Sequence, residues 1–195
     1  VLAICAAAGT VALFRARASS RDAGQQQALV SAAVGLALIG LAAAVGSVRY
    51  GLAPGLGDVH ALLSRLAGHF GMPLIGAGYV AVAWSLRASR GAWLALYVAL
   101  GVLPFVCDAL GLGGVYILVI GSLGVLAILA AAARQRAAQP VAAMTAAGGA
   151  VLVLIAGLVI GTKGHIGPIA RVDAFHYTLA VAALLKARGL QQLAR

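Results

Sequence analysis

Histidine and aspartate side chains are the groups in this sequence best suited to chemistry. The chain has four of each and no glutamate, and most of them gather within residues 58–69 and 171–177. On a helix, residues four apart share a face, as do residues three apart, so His60 would lie beside Ser64, and Asp173 beside His176. Imidazole and carboxylate groups are ligands of zinc and general acids or bases in hydrolysis. The two segments therefore predict a polar site that could bind a metal ion.

The sharpest form of this prediction is a zinc site. Its ligands would be His60, His165 and His176, with the fourth position left for a water molecule that the metal activates. Asp108 and Asp173 are the candidate general bases, or the carboxylates that orient a ligand. The predicted reaction is metal-dependent hydrolysis of a lipid amide or ester that reaches the site from the bilayer.

Simpler structural roles also fit several of these residues. Asp173 is well placed to accept backbone N–H bonds as an N-cap or in the first turn of a helix. His69 follows His60 by nine residues, a rotation of about 180° around a helix, so both cannot face one pocket unless the helix is broken. Its glycine neighbours favour a packing role. Arg65 is expected to pair with an aspartate or to extend to the membrane interface.

Composition determines which kind of protein must position these groups. Hydrophobic residues make up 63% of the chain and charged residues only 9%, whereas soluble domains have about 45–50% and about 25%. The mean hydropathy is +1.05. So few ionic groups cannot cover a surface in water, which excludes a soluble enzyme and predicts a membrane protein.

Apolar stretches predict an all-α, polytopic membrane protein with seven transmembrane helices in one domain, residues 1–195. A spanning helix needs about 20 residues. The predicted spans lie near residues 1–14, 28–48, 61–86, 93–106, 115–133, 141–162 and 173–185. Between the second and third spans, the glycines and proline of residues 51–57 favour a turn or re-entrant segment.

Basic residues predict the orientation of these helices. Ten of the 14 Lys and Arg residues flank one side of the predicted bundle and four flank the other. Under the positive-inside rule the N-terminus is outside and the C-terminus inside. Since the charges flank apolar segments and do not gather on a solvated face, the net charge of +10 does not indicate a nucleic-acid partner. The abundance of Ala, Gly and Arg favours a bacterial cytoplasmic membrane.

With this orientation, all four histidines and three of the four aspartates fall at the outer ends of helices. Ionisable groups at membrane depth are costly and by default mark a functional pocket. The predicted functional site is therefore a His- and Asp-lined pocket on the outer face.

This plan resembles the superfamily of seven-helix membrane hydrolases that includes alkaline ceramidases and the adiponectin-type receptors. Its members hold zinc with three histidines, assisted by a serine and an aspartate. The resemblance implies that His60 is the early histidine, Ser64 the assisting catalytic serine, Asp108 the aspartate and His176 a late histidine. Three features depart from the family pattern. Ser64 follows His60 instead of preceding it, the other late histidine is His165 in a loop, and the early histidine lies in the third span.

Two non-catalytic functions remain open alternatives. The histidines could ligate haem between two helices or relay protons in a small transporter. The chain could also be a membrane subunit that forms homo- or hetero-oligomers. Gly157 and Gly161 have the small-xxx-small spacing that lets two helices approach closely.

Overall fold

The structure, a computed structural model, describes all 195 residues and is almost entirely helical. Seven long helical segments follow one another: α1 (Leu2–Ser19), α2 (Ala23–Gly51), α3 (Pro54–Ala83), α4 (Arg90–Ala109), α5 (Gly113–Gln135), α6 (Pro140–Ile160) and α7 (Arg171–Leu193). Between α6 and α7, β1 (His165–Ile166) pairs antiparallel with β2 (Ile169–Ala170). Six helices, α1 to α6, are long and apolar enough to cross a membrane. The predicted all-helical class is confirmed, and six of the seven predicted spans fall on helices that could cross a membrane.

Each predicted span corresponds to one helix. Most helices extend beyond the predicted bounds, but α3 ends at Ala83 and α6 at Ile160, before the predicted ends at 86 and 162. The predicted turn between the second and third spans is present but short: α2 continues to Gly51, the chain leaves helical geometry at Leu52 and Ala53, and α3 begins with a 3₁₀ turn at Pro54–Leu56. Proline suits a first helical turn, where its missing N–H has no partner to lose. At the other end of the chain, α7 runs to Leu193. Lys186 and Arg188, which follow the predicted last span of residues 173–185, therefore lie inside the helix.

Six of the helices form a closed ring. Around the ring, α1 packs on α2, α2 on α3, α3 on α5, α5 on α6, α6 on α7, and α7 on α1. Helix α4 lies outside the ring against α5 and the middle of α3. We call the end of the bundle at which α1, α3, α5 and α7 terminate the inner end, following the charge bias, and the opposite end the outer end.

Small residues allow the helices of the ring to approach closely. More than half of the buried hydrophobic residues are alanine. A Cβ added to Gly35 would lie 2.5 Å from the carbonyl oxygen of Gly71, and one added to Gly124 would lie 2.5 Å from that of Met72. Contact of backbone with backbone is the usual packing mode of membrane helices.

Burial is concentrated away from the outer end of α3, α5 and α7. No residue is buried within 54–70 of α3, 113–123 of α5 or 171–179 of α7. The first part of α3, Gly57–Leu66, makes its interhelical contacts with α2. The outer end is therefore open, and the inner half of the ring is packed.

Candidate functional site

His60 is the centre of a polar cluster between the end of α2 and the start of α3. Arg49 Nη1 lies 3.1 Å from His60 Nδ1, and Ser64 Oγ lies 3.4 Å from His60 Nε2. The ring of Tyr50 meets the imidazole edge-on, with centroids 5.8 Å apart. The absence of a side chain at Gly46 makes room for the imidazole, since a Cβ there would lie 2.7 Å from Nε2.

The hydrogen bonds of His60 determine what it can do. A guanidinium only donates, so Nδ1 must accept from Arg49, and the ring proton lies on Nε2 and is donated to Ser64. In this arrangement His60 does not take a proton from the Ser64 hydroxyl. The positive charge of Arg49 also opposes a metal cation at Nδ1.

The other predicted zinc ligands lie on separate elements. His165 is exposed in β1, and His176 is exposed in the second turn of α7. No three His, Cys, Asp or Glu side chains come together where they could hold a metal ion. Zinc binding by His60, His165 and His176 stays a prediction. Asp173 lies exposed in the first turn of α7, as predicted, but the N-cap is Ala170, which has no side chain able to cap.

A second polar cluster surrounds His69, for which the sequence favoured a packing role. His69 lies in a π-helical turn, Ala67–Gly71, that interrupts α3, and such turns are frequent at functional sites. Its ring meets that of Tyr116 on α5 edge-on, at 5.7 Å between centroids. Asp108 and Arg65 lie near enough to act electrostatically on the imidazole. Because His60 contacts α2, the two histidines face different helices, as their spacing predicts.

Lys186 is the residue whose environment the sequence did not reveal. Its side chain is only 3% exposed, on the face of α7 that meets α3 and α6. Nζ lies 3.2 Å from Met72 Sδ, its only hydrogen-bond partner. The one ion pair of the chain joins Arg87 and Asp22, so Lys186 has no counter-ion. A buried charge without a partner is costly, so Lys186 is a candidate functional residue.

Further polar groups continue from Lys186 towards both ends of the bundle. Met72 follows His69 by three residues, about one helical turn. The hydroxyl of Tyr116 and Oε1 of Gln192 are buried without a hydrogen-bond partner. Buried polar atoms of this kind are usually satisfied by ordered water. His69 and Tyr116 therefore lie on the outer side of Lys186, and Gln192 lies on its inner side along α7.

Gly157 and Gly161 do not form the predicted face of one regular helix. Gly157 lies in a π-helical turn, Ile155–Ile160, and Gly161 follows the helix with φ of 64°. A Cβ added to Gly157 would meet nothing within 4 Å. The two glycines are therefore not used for packing within the chain, and their role in an oligomer stays a prediction.

Comparison of the chain with protein-family models, with curated proteins and with solved structures gave no match. The functional argument therefore rests on the chemistry of the residues described above.

Proposed function

We propose that all seven helices cross a bacterial cytoplasmic membrane, with the N-terminus outside and the C-terminus inside. Helix α7 is less apolar than the others, yet it lies in the ring between α1 and α6. With Lys186 left out because it is buried within the ring, nine basic residues lie towards the inner end and four towards the outer end, and this bias supports the orientation.

Cysteine labelling tests this topology. Cys5 and Cys107 are free thiols and would first be replaced by alanine. In intact cells, an impermeant maleimide should then label Lys163→Cys, in the outer loop, but not Ser20→Cys, in the inner loop. Labelling of Ser20→Cys but not of Lys163→Cys would show that the orientation is the opposite of the one proposed.

We further propose that the protein transfers protons across this membrane, with Lys186 as the central proton-carrying group. The observation that carries the proposal is the burial of the Lys186 amine with no carboxylate partner. An uncompensated buried charge is strongly destabilising, so a chain that retains one has a use for it. An amine can accept a proton from one side and release it to the other.

The neighbouring groups support this proposal. On the outer side, His69 and Tyr116 are groups able to exchange protons, and Asp108 acts electrostatically on His69. On the inner side, the unpartnered Oε1 of Gln192 is a site for water. Met72 cannot relay a proton; its thioether contacts the amine without neutralising it.

A flux measurement in vesicles tests the proposal. The full chain would be reconstituted in phosphatidylcholine–phosphatidylglycerol vesicles with a pH-sensitive dye inside, and a membrane potential set by potassium and valinomycin. We expect proton entry above that of empty vesicles, and its loss in Lys186→Met. Lys163→Met is the matched control, because Lys163 is the other lysine of the chain and is exposed.

Two further variants separate loss of function from loss of fold. Lys186→Gln keeps a polar group without an exchangeable charge and should also abolish flux, provided that it elutes as the wild type does in size-exclusion chromatography. Lys186→Arg keeps a charge that does not release its proton and should do the same. Wild-type flux in a folded Lys186→Met protein, or no flux in the wild type, would refute the proposal.

Zinc-dependent hydrolysis of a lipid amide or ester is the second candidate function. It is favoured by the exposure of His165, His176, Asp108 and Asp173 around the open outer end, all without ion pairs. Stoichiometric zinc in the purified protein, reduced by His176→Ala, would support it. An absence of zinc, or a metal content that His60→Ala and His176→Ala leave unchanged, would exclude it.

A further inference from the structure

A basic cavity opens at the inner end of the bundle, whereas the His60 and His69 clusters lie towards the outer end. It has a volume of about 400 Å³, within the range of about 300–1,000 Å³ typical of ligand sites. The end of α1, the loop to α2 and the end of α7 surround it. Its polar lining residues include Arg15, Ser19, Arg21, Gln25, Gln191 and Arg195.

The three arginines of the basic cavity are not neutralised by the protein. Arg15, Arg21 and Arg195 form no ion pair and no side-chain hydrogen bond. The side-chain carboxylate nearest along the chain, that of Asp22, is already engaged. It accepts the backbone N–H of Gln25 at 2.8 Å and pairs with Arg87 at 3.6 Å. The cavity therefore carries three unpaired guanidinium groups.

The amide side chains add further hydrogen-bond donors. Gln25 Oε1 accepts a hydrogen bond from the Ser20 hydroxyl, and Gln191 Oε1 accepts one from Arg188 Nη1 at 3.3 Å. With both carbonyl oxygens occupied, the NH₂ groups of the two glutamines are left to donate. Guanidinium forks and amide donors around one cavity match the oxygens of a phosphate group.

We propose that the basic cavity binds the phosphate group of an anionic ligand, either an anionic phospholipid of the adjacent leaflet or a soluble phosphate. Basic pockets between transmembrane helices near the cytoplasmic surface are suited to anionic head groups. This inference does not depend on proton transfer through Lys186, because the site uses other residues at the end of the bundle.

Thermal stabilisation of the purified full chain in a non-ionic detergent tests the proposal. The probes are dihexanoyl phosphatidic acid, inorganic phosphate and, as a zwitterionic control, dihexanoyl phosphatidylcholine. A ligand that binds the folded state raises the unfolding midpoint in proportion to its occupancy. We expect phosphatidic acid to raise the midpoint and phosphatidylcholine to leave it unchanged.

Matched pairs of variants locate the effect. The double variant Arg15→Gln and Arg21→Gln should lower the affinity for phosphatidic acid by about tenfold or more, because charge-assisted hydrogen bonds are lost. Arg17→Gln with Arg90→Gln removes the same charge from exposed positions outside the cavity and should leave binding unchanged. Arg195→Gln alone serves as a milder variant if the double variant does not fold.

The outcomes separate the ligand sources and the alternatives. Stabilisation by phosphatidic acid and by inorganic phosphate supports a site for the phosphate group itself. Stabilisation by phosphatidic acid alone supports a lipid site. If neither probe stabilises the protein, the proposal is overturned. It is also overturned if both double variants lose phosphatidic acid binding to the same extent, because the binding would then depend only on diffuse positive charge.

Discussion

The close approach of α3 and α5 at Gly124 predicts that Gly124→Ala destabilises the bundle. The added Cβ would lie 2.5 Å from the carbonyl oxygen and 2.6 Å from the carbonyl carbon of Met72. These are backbone atoms, which cannot move aside as a flexible side chain does. The two helices must therefore separate locally for the alanine to fit.

The expected magnitude follows from two opposing effects. Overpacking costs about 1–3 kcal/mol, while replacing glycine by alanine inside a helix gains about 0.5–1 kcal/mol. The net loss is about 0–2.5 kcal/mol. For a chain of this size, 1 kcal/mol corresponds to about 2–4 °C in the unfolding midpoint. We therefore expect Gly124→Ala to lower the midpoint by up to about 10 °C.

Gly121 provides a matched control on the same helix, one turn away. A Cβ added there meets nothing within 4 Å, so Gly121→Ala should keep the gain in helix propensity and raise the midpoint by about 1–4 °C. The assay heats detergent-solubilised protein in steps and measures the monodisperse fraction by size-exclusion chromatography. A Gly124→Ala protein as stable as Gly121→Ala would refute the close contact between α3 and α5.

Three other substitutions test single contacts. Tyr79→Phe removes the hydroxyl that donates to the Lys186 carbonyl oxygen, and should cost about 1 kcal/mol in the same thermal assay; an unchanged midpoint would contradict this bond. Gly46→Ala places a Cβ 2.7 Å from His60 Nε2 and should displace the imidazole. Diethyl pyrocarbonate should then modify His60 faster than it does in the wild type. Equal modification rates would argue against the packing. Asp22→Ala removes the N-cap of α2 and should cost about 0.5–2 kcal/mol, and a stability equal to wild type would show that the cap is dispensable.

The positions of the helices could be predicted from the sequence. The environments of Lys186 and His69 could not. Lys186 follows an Ala- and Leu-rich stretch and precedes Arg188, a pattern typical of the end of a span. A signal against that interpretation was present, because Leu190 and Leu193 continue the apolar helical pattern beyond the lysine, and both are buried. His69 was assigned to packing because of its glycine neighbours, and the π-helical turn that contains it has no recognisable sequence pattern.

The sequence by itself determined the membrane class, the helical segments and the uneven distribution of charge between the two ends, because these depend on each segment's own transfer from water to lipid. Only the tertiary structure decided that α4 lies outside the ring, that Lys186 is buried against Met72, and that Arg15, Arg21 and Arg195 share one cavity. The physical reason is that the faces of these helices are nearly uniform in Ala, Gly and Leu. Hydrophobicity does not distinguish such faces, and the close approach of particular glycines to particular backbones selects the neighbours.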